Sequence, residues 1–98
     1  MYEIENPLKD VLRYYCHVET YDPVILREVM DKENGPFDKD ICNGQLEHAI
    51  EFKKITPNLY EQLTDEDFDS QEEVQDRLIE IWQDINGQHF YDKKVKSD

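Results

Sequence analysis

Apolar residues recur along this chain at helical spacing, and most of the runs open on a cap. Leu8, Val11, Leu12 and Tyr15 fall at i, i+3, i+4 and i+7, which lines one face of a helix. Asn6-Pro7 precedes them, an N-cap residue followed by proline at the first helical position, where its missing N–H is of no consequence. Asp22-Pro23 repeats that signal before a second stripe of Ile25, Leu26, Val29 and Met30. Asn34-Gly35-Pro36 then predicts a stop, with Gly35 suited to the left-handed position just past a helix. Thr56-Pro57 is a third cap-and-proline pair and predicts a short helix over 57–63. Ser70 and Glu73 form an S-x-x-E capping box ahead of Val74, Leu78, Ile81, Trp82 and Ile85, and Gly87 ends that helix.

Residues 44–55 read two ways. Leu46, Ala49, Ile50 and Ile55 suit a helix, whereas Ile50 and Phe52 alternate as in a strand and Asn43-Gly44 suits a hairpin turn. The strong helix formers Gln45, Leu46, Glu47 and Ala49 favour a helix over 44–54. Short loops between amphipathic helices predict an all-α, single-domain helical bundle of four to five helices spanning 1–90. Residues 91–98, with Lys93, Lys94 and Lys96, are expected to fray, and Phe90 and Tyr91 are candidates to dock on the core.

Size and composition narrow the class. A chain of 98 residues accommodates one domain, with a single core and little redundancy. It is 36% charged, polar for a globular protein, but 11% aromatic content and regular periodicity argue against disorder. Cys16 and Cys42 are the only cysteines; free thiols in a reducing compartment are expected, one disulfide being the alternative. No apolar run approaches the ~20 residues of a membrane span and no signal-peptide pattern opens the chain, so a cytoplasmic location is expected.

Charge changes the picture most. The formal net charge is −13, and residues 61–80 hold nine carboxylates against one cation, Arg77. Such a density repels itself in the folded state, so folding alone does not account for it. Eleven Lys and Arg against twenty-four Asp and Glu disfavour direct binding of nucleic acid or of an anionic membrane. The density and its position, on a loop and the first turns of a helix, point to a surface for a basic protein. The candidate contacts are Asp65, Glu66, Asp67, Asp69, Glu72, Glu73, Asp76 and Glu80, with Tyr60 as an aromatic contact. Tyr14 and Tyr21 are further aromatic candidates, and partial burial in the core is the competing reading for each. A solvated, solubilising face is the competing reading of the acidic run itself.

Other chemistry finds little footing. Asp65, Asp67 and Asp69 open a D-x-D-x-D pattern, but Ser70 stands where a calcium loop needs glycine and Asp76 where it needs a bidentate Glu. Cys16-His17, Cys42 and His48 lack the close ligand pairs of structural zinc sites. The only serines are Ser70 and Ser97, and glycines number three, which leaves no nucleophile constellation and no phosphate loop. Neither a metal, a cofactor nor catalysis is expected.

Small size, acidity and the capped acidic helix DSQEEVQDRLIE within residues 65–80 give a chain that resembles, in type, the small acidic bacterial immunity proteins. Those proteins neutralise colicins or contact-dependent growth-inhibition toxins. The nuclease-colicin immunity proteins carry a tyrosine pair followed by proline; here Tyr14-Tyr15 is followed by Cys16, and no family residue is carried over. The resemblance implies a stoichiometric inhibitor whose partner is a basic toxin domain, a nuclease or another nucleic-acid enzyme. Two alternatives remain open: a phage-type DNA mimic, such as an anti-CRISPR or anti-restriction protein, and a cytosolic adaptor or regulatory subunit.

Overall fold

The computed structural model describes residues 4–32, 35 and 37–90. Five helices follow one another: α1 (Leu8–Tyr15), α2 (Pro23–Asp31), α3 (Lys39–Phe52), α4 (Pro57–Thr64) and α5 (Gln71–Asn86). Among the described residues there is no strand. Helix α5 is the hub, packed by α2, α3 and α4, while α1 lies against α3 and α4. The shared core holds Leu12, Leu26, Leu46, Tyr60, Leu78 and Trp82, all essentially without accessible surface. Each such side chain contributes about 1.5–3 kcal/mol by leaving water. The all-α expectation holds.

Side-chain caps mark where α2, α4 and α5 start. Asp22 accepts from the Val24 and Ile25 N–H groups at 2.9 and 3.3 Å, and Pro23 opens α2 as expected. Thr56 accepts from Leu59 N–H at 3.1 Å ahead of Pro57. Ser70 accepts from Glu73 N–H at 3.3 Å. Glu73 reaches back to the Asp69 N–H at 2.9 Å, one residue before the donor that a capping box would use.

Helix α1 departs from its signal. Its first helical residue is Leu8, and Pro7 takes the cap position without a side-chain cap bond. Asn6 accepts from Asp10 N–H at 3.2 Å, but Leu8 N–H is met by the Gln45 side chain of α3 at 3.0 Å. Gln45 also donates to the Asn6 carbonyl at 2.9 Å, so this helix end is capped from another helix.

Two sequence expectations are corrected. The stripe on α2 narrows to Leu26 and Met30, with Ile25 49% exposed, because α5 is the main element packed against this helix. Helix α2 also ends early, at Asp31, with Lys32 extended. Gly87, at φ 69°, is the only described glycine in the left-handed region, so Gly35 serves in a turn, donating to the Lys32 carbonyl at 3.1 Å. Asn34, Pro36 and Tyr91, with the rest of 91–98, lie outside the described residues.

The ambiguous middle is helical. Helix α3 begins at Lys39, five residues before the expected start, on an Asp38 cap that accepts from Ile41 N–H at 3.1 Å. Asn43-Gly44 is inside it rather than in a hairpin turn. Burying Cys42, Leu46, Ala49 and Ile50 on one face outweighs the local turn preference. The helix ends at Lys53 in a left-handed conformation, φ 54°.

Polar bonds set the register of α3 on α5. Asn43 and Asn86 exchange amide hydrogen bonds at 2.9 and 3.1 Å. Trp82 Nε1 donates to Glu47 at 3.0 Å, and Gln75 donates to the Ile50 carbonyl. Gln71 donates to the Ile55 carbonyl at 2.7 Å. Past α5, Phe90 is buried with its ring edge-on to Trp82, centroids 5.3 Å apart.

Candidate functional site

The acidic run occupies the end of α4, the loop 65–70 and the outer side of α5. Its geometry begins with a buried hydroxyl. Thr64 has no accessible surface; its Oγ1 donates to the Tyr60 carbonyl at 2.9 Å and accepts from Glu66 N–H at 3.2 Å. Asp65 ends α4 in the left-handed conformation at φ 63°, turning the chain away from the helix. The segment after α1 docks on this corner, with Val18 N–H donating to the Thr64 carbonyl at 2.8 Å. His17 Nδ1 accepts from Glu19 N–H at 3.2 Å, which leaves Nε2 to carry the proton donated to Asp65 at 3.1 Å.

The single cation of the run is turned inward. Arg77 grips Glu66 with two parallel bonds, Nε to Oε1 at 3.2 Å and Nη2 to Oε2 at 2.6 Å. Its Nη1 donates to Glu80, one turn along α5. The guanidinium carbon is 6.0 Å from the centroid of the Phe68 ring, and Phe68 in turn packs on Tyr60 at 5.5 Å. Burial works against the Arg77 charge, but the hydrogen bonds and field of Glu66 outweigh it and hold the proton more firmly than in free arginine.

The predicted contacts therefore divide. Asp67, Asp69, Glu72 and Asp76 are exposed, and their carboxylates make no hydrogen bond or ion pair among the described residues. Glu73 is exposed but also braces the Asp69 backbone. Asp65 is 73% exposed and Glu80 55%, each with one partner, His17 and Arg77 respectively. Glu66 is only 19% exposed and is committed to Arg77, so it shapes the face more than it adds to its field. Tyr60 is corrected outright: it has no accessible surface, because α4 turns it into the core beneath Phe68. Burial pushes its phenol well above the ordinary tyrosine range.

The other aromatic candidates separate as well. Tyr14 is 63% exposed on the last turn of α1. Tyr21 is half-buried and donates its hydroxyl to Asp84, so its phenol is raised by burial first and by that carboxylate second. Sequence reasoning passed over Asp84, Phe68 and the inward role of Arg77. Asp84 follows Glu73, Asp76 and Glu80 at i+11, i+8 and i+4 along α5, a helical period that was available to read.

A shallow groove runs between Phe68, Glu73, Asp76, Arg77 and Glu80. Among the described residues no three His, Cys, Asp or Glu side chains are grouped to hold a metal ion. Cys16 and Cys42 are both buried free thiols; burial pushes the Cys42 thiol up to about 12 and Cys16 higher still, which makes both poor nucleophiles near neutral pH. His48 is exposed and leans on Phe52, ring centroids 4.6 Å apart. Among the described residues, no helix is long and apolar enough to cross a membrane. What this arrangement offers chemically is a fixed negative field with an aromatic ring at its base. No family model matches the chain, and no curated protein or solved structure matches it either.

Proposed function

We propose that this chain is a stoichiometric inhibitor of the toxin-immunity type, without catalysis of its own. It binds a basic protein domain, a toxin that acts on nucleic acid, through the acidic face of the loop 65–70 and α5. It does so in the cytoplasm, where such a toxin would act. One observation carries the reading: among the described residues Asp67, Asp69, Glu72 and Asp76 are exposed and unpaired, while the only cation of the run is held by Glu66 and Glu80. A merely solubilising face has no need to be kept free of counter-charges. Opposed fields raise association rates by ~10–10³ and make binding fall with salt.

The DNA-mimic alternative draws on Glu72, Asp76 and Glu80, which stand four residues apart on α5 and so step ~6 Å along its axis. Three residues and two steps make a short row, and Asp65, Glu66, Asp67 and Asp69 belong to the loop, which favours one compact basic domain over a long groove. The test is a pull-down at low salt with the purified chain and with an Asp67→Lys, Asp69→Lys, Glu72→Lys, Asp76→Lys variant, followed by identification of what a salt step elutes. A basic toxin domain retained by the native chain and lost by the variant is expected. Recovery of a CRISPR effector or restriction complex in its place would overturn the immunity reading.

A further inference from the structure

We infer that Arg77 is the positioning residue of the acidic face: it clamps the loop 65–70 to α5 and so sets the geometry in which Asp67 and Asp69 are presented. The inference rests on the proposed binding face, but it concerns the free protein. In a run of nine carboxylates a lone arginine reads first as a counter-charge that weakens the field. Its contacts indicate otherwise. Arg77 joins the loop to the helix through a bidentate pair with Glu66, eleven residues away, while its third bond to Glu80 fixes the guanidinium plane. That plane lies over Phe68, whose ring packs on buried Tyr60.

Glu66 and Phe68 flank Asp67, and Phe68 precedes Asp69, so Arg77 touches the residues on either side of the exposed acids at once. The backbone alone restrains this loop lightly, since Glu66 and Asp69 donate to side chains, Thr64 and Glu73. A face held in one geometry loses less conformational freedom on binding. A cation in the middle of an acidic face is tolerable if it supplies that order.

The two readings of Arg77 differ in what they expect of the loop, which makes them separable. The experiment compares the native chain with Arg77→Gln and Arg77→Lys by backbone ¹⁵N relaxation and by the side-chain Nε–H resonance of Arg77. Affinity for a nonalysine peptide is measured alongside. If Arg77 is the clamp, residues 65–69 have order parameters near ~0.85 in the native chain and fall below ~0.6 in both variants, while α5 stays rigid. Lysine keeps the charge but not the fork, so it does not rescue the loop. The Arg77 Nε–H signal is resolved in the native chain and lost in Glu66→Ala, a variant that leaves Arg77 in place should its replacement unfold the chain. Unchanged order of residues 65–69 in all the variants would overturn the clamp. Nonalysine binding reports on the field alone: Arg77→Gln should tighten it. Tighter nonalysine binding with an unmoved loop would leave the acidic-face reading standing and remove only the clamp.

Discussion

Replacing Gly44 with alanine tests the least expected element of the fold. Gly44 lies six residues into α3, exposed, and a Cβ built there meets nothing within 4 Å. Its φ is not in the left-handed region, so alanine is compatible with the backbone. Glycine in a helix interior costs ~1 kcal/mol relative to alanine through the freedom its unfolded chain loses. Gly44→Ala should therefore stabilise the protein by ~1 kcal/mol, which corresponds to a Tm increase of roughly 4–8 °C for a domain of this size. If Asn43-Gly44 instead formed a hairpin turn with positive φ, alanine would cost ~1–2 kcal/mol. The sign separates the two. Urea and thermal unfolding followed by circular dichroism at 222 nm measures it, and a Tm equal to or below that of the native chain refutes a continuous α3.

Further outcomes follow from the same geometry. Tyr60→Ala should cost ~3–5 kcal/mol in urea unfolding by opening the core under Phe68, whereas Tyr60→Phe should leave partner affinity unchanged; a loss of affinity in a stable Tyr60→Phe variant would restore Tyr60 as a contact. The chain should lose stability in alkali. Cys42 shifts from 9.0 unfolded to about 12 folded, so its contribution is intact below pH 9 and is lost as pH rises towards 12. Cys16, Tyr21 and Tyr60 shift in the same direction, and each of the buried thiols costs at most about 1.4 kcal/mol per pH unit across its own window. Urea midpoints between pH 8 and 10.5 check this, and a Cys16→Ala, Cys42→Ala chain that declines as steeply as the native one would contradict the assignment to the thiols.

Local chemistry made α2, α4 and α5 readable, because Asp22-Pro23, Thr56-Pro57 and Ser70 each carry their own start signal. It failed where a partner is distant in sequence. The N–H of Leu8 is met by Gln45, 37 residues away, and no local pattern encodes that bond. The first turn of α3 was missed because Asn43-Gly44 has a strong turn preference of its own, which packing of Cys42 and Leu46 overrides. At the candidate site the exposed carboxylates on α5 were legible from helical period. Glu66 was not, since a loop residue has no period to betray its pairing with Arg77. Tyr60 was legible in principle: Tyr60 and Thr64 stand at i and i+4 on α4, facing the core together.

The face is tested most directly by association kinetics with the partner recovered at low salt. Reversing Asp67, Asp69, Glu72 and Asp76 to lysine spares Glu73 and Glu66, which hold backbone or clamp, and moves the formal charge from −13 to −5, two units for each reversal. Rates measured by stopped flow between 20 and 500 mM NaCl, a range in which the Debye length shortens from about 20 Å to about 4 Å, report the field. The account predicts that the native rate falls steeply with salt, and that the variant associates at least ~10-fold more slowly at low salt with a nearly flat dependence. Equal rates and equal salt slopes for the two chains would contradict it.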